Sequence, residues 1–137
     1  EFEFVLNHAA EDASSHAKDV FISAITDMTI DEAINILNGK DNAASVYLKK
    51  QTSGILYEKF KPLVTQSIKN VQLRKYWKVL LKSYNKVPLV KKIDVDLEDY
   101  VTQKTIDGLF LLLEKEETNI RNNPKARTSE ILKKVFK

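Results

Sequence analysis

The chain has no cysteine, which removes disulfides, thiolate nucleophiles and cysteine-bound zinc or iron–sulfur centres from consideration. Only three glycines and three prolines occur in 137 residues. Turn residues are too sparse to punctuate a series of short strands, and no alternating apolar–polar run lies between them, so helices are expected throughout. Long apolar stretches are also missing. The longest unbroken one, Leu109 to Leu113, falls far short of the roughly 20 residues a membrane-spanning helix needs. Histidine is limited to His8 and His16. Eight residues of helix rise about 12 Å, too far for both to hold one ion, so His8, Asp12 and His16 are read as solvated side chains and no metal or other cofactor is expected. No phosphate-cradling glycine loop or nucleophile motif is present.

What is there is globular. Hydrophobic residues make up 43% and charged residues 30%, and a chain of this length can bury roughly two thirds of its unfolded surface. Residues 1–137 are read as one compact all-α domain of about six helices. The first spans residues 3 to 26, with apolar positions Phe4, Val5, Ala9, Ala13, Ala17, Val20, Phe21, Ala24 and Ile25 and a candidate break at Ser14-Ser15. Its alanines imply close packing. Thr29 three residues before Glu32 is a capping box, and Gly39 is the expected left-handed stop of that short helix. Asp41 is positioned to cap a third helix running to Val71, kinked or split at Pro62.

The segment "QLRKYWKVLLKSYNKV" places Leu73, Tyr76, Trp77, Leu80, Leu81 and Tyr84 on one helical stripe, which is expected to face the core. Pro88 ends it. Asp94 or Asp96 caps a long helix through Leu97, Tyr100, Val101, Thr105, Gly108, Leu109, Leu112, Leu113 and Ile120. "GLFLLL" is expected to be enclosed, with a neighbouring helix close to Gly108. Asn123 and Pro124 open a last helix docked by Ile131, Leu132, Val135 and Phe136.

The run "YVTQKTIDGLFLLLEKEETNIRNNPKARTSEILKKVF", with upstream "AITDMTIDEAINILNGKDNAASVYLKKQTSGILYEKFKPLV" and "NHAAEDASSHAKDVF", resembles the bacterial domain-of-unknown-function family 4197. The resemblance spans nearly the whole chain. It implies an all-helical protein made with a signal or lipoprotein leader and a further helical segment, hence an extracytoplasmic, envelope-attached or periplasmic address. The opening "EFEFV" lacks Met and is read as a processed or trimmed end. The resemblance carries over no activity, cofactor or catalytic residue.

Charge is unevenly placed. Residues 48–93 hold 12 bases against one acid, and Arg74, Lys78, Lys82 and Lys86 recur every four residues as a basic stripe. Its candidate partners are anionic lipid, a small anionic ligand or an envelope protein. Nucleic acid is disfavoured because no exposed aromatics are expected among the bases. The second cluster is Asp107, Glu116, Glu117, Arg121 and Arg127. Glu117 and Arg121 are i, i+4 neighbours, and Arg127 is expected to fold back onto the carboxylate of Glu116, making a clasp between the last two helices. Two rival readings of this stretch are an acid–base pair of Glu116 with Asp107 or Glu117, and an anion held at the Pro124 helix start by Arg127. The functional expectation is a non-enzymatic helical binding or scaffold domain of the envelope. The alternative is a carboxylate-based, hydrolase-like or metal-dependent enzyme built on the Glu/Arg cluster.

Overall fold

The computed structural model describes residues 2–68 and 71–136, with the side chains of Phe2, Val5, Leu6, Val71 and Gln72 outside that description. The expected apolar roles of Val5 and Val71 therefore lie outside the described residues. The fold is all-α, with no strand among the described residues. In order come α1 (Phe2–Ser14), α2 (Ala17–Thr26), α3 (Ile30–Leu37), α4 (Ala43–Ser67), α5 (Val71–Tyr84), α6 (Leu97–Asn122), a 3-10 turn (Pro124–Ala126) and α7 (Glu130–Val135). The first predicted helix is two, separated by a turn at Ser15-His16, where the Ser15 hydroxyl donates to the Asp12 carbonyl at 2.7 Å. A serine that bonds backward in this way competes with helix continuation.

The ends of the helices follow local chemistry in some places and distant chemistry in others. Thr29 and Glu32 form the expected capping box of α3. The Thr29 N–H is the main reason, and its hydroxyl the next, why the Glu32 carboxyl lies below its ordinary pKa. Asp96 caps α6, its Oδ1 accepting from the Asp99 N–H at 2.7 Å. Gly39, by contrast, has no positive φ. It is small because a Cβ there would sit 2.7 Å from the Cβ of Ala43 and 3.0 Å from the Asn35 carbonyl oxygen, so the turn from α3 into α4 has no room for one. Asp41 does not cap α4; it accepts from the Asn122 side-chain amide at 3.0 Å. Asn123 does cap with Pro124 behind it, but only a three-residue 3-10 turn follows. The final helix starts six residues later under Ser129, whose hydroxyl accepts from the Leu132 N–H. Helix α4 continues through Pro62 without interruption.

The chain packs as two units, residues 1–16 with 57–105 and residues 17–56 with 106–137. In the first, Ala9, Ala13, Phe60, Val64, Ile68, Leu73, Leu97 and Val101 are buried. Buried Thr102 and Thr105 return their hydroxyls to the carbonyls of Glu98 and Val101, so neither leaves an unmet polar atom in the core. The Trp77 ring tilts against Tyr100 with centroids 4.7 Å apart. In the second unit Ala17, Val20, Leu48, Leu56, Ile106 and Phe110 are buried, and Phe21 meets Phe110 edge-on at 5.8 Å. The Phe21–Phe110 contact gives the second core a preferred geometry beyond area burial, and the Trp77–Tyr100 contact does the same at the edge of the first.

Two expectations about packing fail. Gly108 has nothing within 4 Å of an added Cβ, so no helix lies close to it. Around it Phe110 is buried, but Leu111 and Leu112 are exposed, and "GLFLLL" is enclosed on one side only. On α5, Leu73 is buried and Trp77 and Leu81 half-buried, while Tyr76, Leu80 and Tyr84 are exposed. The covered face of α5 is narrower than its apolar stripe, because only one side of the stripe meets other parts of its unit.

Candidate functional site

Within the second unit, the Glu/Arg cluster is built on helix ends. Glu117, on α6, points both carboxylate oxygens at the start of α4: the N–H groups of Ala44 and Ser45 each donate to it at 2.7 Å, as does the Ser45 hydroxyl. The first N–H groups of a helix have no partner inside it and carry partial positive charge, so a carboxylate there is well placed. Arg121 pairs with the same carboxylate at 3.0 Å, and both side chains are only 9% exposed. Its two terminal nitrogens donate onward to the carbonyls of Ile36 and Leu37 at 2.8 and 3.1 Å, closing the last turn of α3. One ion pair thus caps the end of one helix and the beginning of the next.

Arg127 does something similar further on. It donates to the carbonyls of Ile120 and Arg121 at 2.9 and 2.8 Å, at the end of α6, and to the carbonyl of Phe136, which caps α7. The guanidinium groups of Arg121 and Arg127 both lie over the Phe136 ring, at 5.3 and 5.9 Å. The expected partnership of Arg127 with Glu116 is replaced by these carbonyls, because the last turn of α6 leaves carbonyl oxygens facing the guanidinium fork. Glu116 is itself exposed and so meets no need for a buried partner. Asp107 is half-buried on α6, and nine residues of helix separate it from Glu116 by roughly 13 Å, which rules out that acid–base pair. The Pro124 turn is too short to gather an anion, since its one capped donor, the Lys125 N–H, is taken by Asn123.

Beside this cluster lies a cavity of about 360 Å³. Met28, Ile36, Leu37, Leu48, Leu113 and Ile120 form its apolar walls, Val135 of α7 and Phe136 at its cap line one side, and Glu116, Glu117 and Arg121 reach its edge. Its size falls within the range of small-molecule pockets. Because Glu117 and Arg121 have spent their hydrogen-bonding capacity on each other and on helix ends, the walls offer apolar contact, and Glu116 is the edge charge left without a partner among the described residues.

The first unit contains a polar group that no motif announced. The Tyr57 hydroxyl donates to Asp99 Oδ1, and Lys61 Nζ stands 2.5 Å from the same oxygen. Hydrogen bonds from Lys61, then Tyr57, hold Asp99 below the usual carboxylate pKa. The bond to Asp99 raises Lys61 and is likewise the first cause of the raised Tyr57 phenol. Each shift fixes the protonation state that neutral pH already favours, the reverse of a group poised to exchange protons near pH 7. The spacing of Tyr57 and Lys61 puts them on one helical face, but nothing local points to Asp99, 42 positions beyond Tyr57.

The basic stripe divides. Arg74 is paired with Glu98 at 2.5 Å, whereas Lys78, Lys82 and Lys86 have no carboxylate partner among the described residues. His8 and Asp12 approach to 3.7 Å on the exposed face of α1, and His16 lies in the turn that follows. No group of three or more metal-ligating side chains is found among the described residues, and no described helix is long and apolar enough to cross a membrane.

A protein-family model described as "Protein of unknown function (DUF4197)" matches residues 1–137. The chain belongs to that family. No curated protein and no solved structure matches it.

Proposed function

We propose that this member of the family is a non-enzymatic helical binding module of the bacterial envelope, and that its ligand site is the apolar cavity roofed by α7. The observation that carries this reading is the contrast between the cavity walls and its edge: the walls are apolar, and the Glu117–Arg121 pair at the edge is committed to helix ends. An enzyme needs a free proton donor or acceptor working with a second group beside bound substrate; among the described residues Glu116 is a free carboxylate at this edge, but its neighbours there, Glu117 and Arg121, are committed to helix ends. A binding module needs apolar surface of the right volume. The volume of the cavity and its apolar walls, with Val135 and Phe136 on one side, favour a small apolar ligand such as a single alkyl chain. The envelope address rests on the resemblance to exported and lipoprotein-type chains described above.

The test is displacement of the neutral dye Nile red by dodecanol, dodecylamine and dodecanoate. Dodecanol and dodecylamine are expected to displace the dye and to raise the melting temperature, and dodecanoate to do so less, because its head would meet Glu116. Ala33→Phe, which adds bulk at the cavity wall, is expected to abolish the effect. Failure of all three amphiphiles to displace dye or shift melting would refute the reading.

A further inference from the structure

Between α5 and α6 the chain forms a small closed loop, residues 86–92. Asn85 fastens its base with two hydrogen bonds to one residue, donating to the Ile93 carbonyl at 2.7 Å and accepting from the Ile93 N–H at 2.8 Å. Two residues further on, the Trp77 indole donates to the Val95 carbonyl at 2.9 Å. The base is therefore fixed, and what it presents is unusual. Leu89 has φ of 68°, a conformation strained for a bulky side chain, and its side chain is fully exposed, with Val87 half-exposed beside it. Strain of this kind ordinarily accompanies a compensating contact, and none covers the Leu89 side chain among the described residues.

Lysines frame the tip. Lys86 precedes it and Lys91 and Lys92 follow, all exposed and none paired with a carboxylate among the described residues. The outer face of α5 continues the surface with exposed Tyr76, Val79 and Leu80 beside Lys75, Lys78 and Lys82. Residues 71–93 hold seven bases and no acid. The acids that follow run back toward the start of α5, where Glu98 engages Arg74 and Asp94 and Asp96 share a wall with Lys78. Uncompensated positive charge thus gathers at the loop end.

The geometry points to docking of this loop, with the adjoining face of α5, on an anionic lipid bilayer. Val87 and Leu89 enter the boundary between headgroups and acyl chains, while Lys86, Lys91 and Lys92 meet lipid phosphates. Apolar residues beside a basic face are the pattern of interfacial membrane attachment. A second copy of the same face is a poor occupant, because it would set six lysines, unpaired among the described residues, against six. An acidic soluble protein answers the lysines but not the fully exposed Leu89 and half-exposed Val87 set among them, which the fluid boundary of headgroups and acyl chains receives directly. This site and the cavity lie in different units and are tested by different measurements.

The experiment is co-sedimentation of the 137-residue chain with vesicles of phosphatidylglycerol and phosphatidylcholine, set against phosphatidylcholine alone. Binding is expected only to the anionic vesicles and should weaken as salt rises. Lys91→Ala and Lys92→Ala are each expected to cost roughly fivefold in affinity. Leu89→Gly is the decisive variant, since glycine adopts positive φ freely: it should melt no lower than the parent while binding vesicles several-fold more weakly. Undiminished binding by Leu89→Gly, or no binding of the parent to anionic vesicles, overturns the proposal. Salt-sensitive retention on soluble polyglutamate without vesicle binding also overturns it and assigns the surface to an acidic macromolecule.

Discussion

A single carboxylate, that of Glu117, accepts from two backbone N–H groups, a hydroxyl and a guanidinium. Glutamine in its place keeps the shape but loses one acceptor oxygen and the charge, leaving donors at the start of α4 unmet and Arg121 without its counter-ion. Because a half-broken buried pair costs more than the pair contributes, Glu117→Gln is expected to lower stability by about 3 kcal/mol in denaturant titration. A loss below about 1 kcal/mol would show that solvent replaces the carboxylate at little cost. Gly108 is the opposite case. With open space where a Cβ would stand and α6 continuing before and after it in the chain, Gly108→Ala should raise stability by about 1 kcal/mol through the helix backbone alone. A loss instead would mean that some neighbour comes closer than the geometry indicates.

At the scale of helices, α7 has no buried residue of its own and is held mainly by the reach of Arg127 to the Phe136 carbonyl and by the two guanidinium groups over its ring. Arg127→Ala is expected to cost about 2 kcal/mol and to remove amide-exchange protection from residues 130–136 while the helices before it keep theirs. Equal protection in the variant would show that apolar contact alone seats α7. At the other end of α6, Asp99 ties that helix to Tyr57 and Lys61 of α4. Its pKa is depressed in the folded chain, so its contribution is complete above the ordinary value of 3.8 and is lost as pH falls through the lower folded value. Lys61 is raised, and its share is lost only as pH rises past 10.5. Asp99→Asn should therefore lower the melting temperature at neutral pH and flatten its decline below about pH 4; an unchanged acid limb would remove Asp99 from that account.

For the chain as a whole, the scarcity of turn residues and the period of the apolar positions made the all-α class and most helix centres legible, along with the capping box at Thr29 and, of the two candidates Asp94 and Asp96, an aspartate cap on α6. Those features are written within four residues of where they act. The ends governed from afar were not legible. Nothing in "GKDNAAS" says that α4 is capped by Glu117, and the Asn123-Pro124 signal, which opens only a short turn, masks the cap at Ser129. The width of the covered face on α5 was also hidden, since periodicity reports which residues share a side but not what stands opposite them. The Glu/Arg cluster stands out by its charge density, yet its wiring to backbone carbonyls joins residues far apart in the chain and leaves no local mark. That wiring has a consequence in time. The bonds from Glu117 and Arg121 to α3 and α4 join residues 72 to 85 positions apart, and so long a closure is entropically costly to make early in folding. The pair should be absent from the transition state and present only in the finished chain. Breaking it with Glu117→Gln is then expected to leave the folding rate nearly unchanged and to speed unfolding, so that this ion pair governs how long the native molecule lasts once formed.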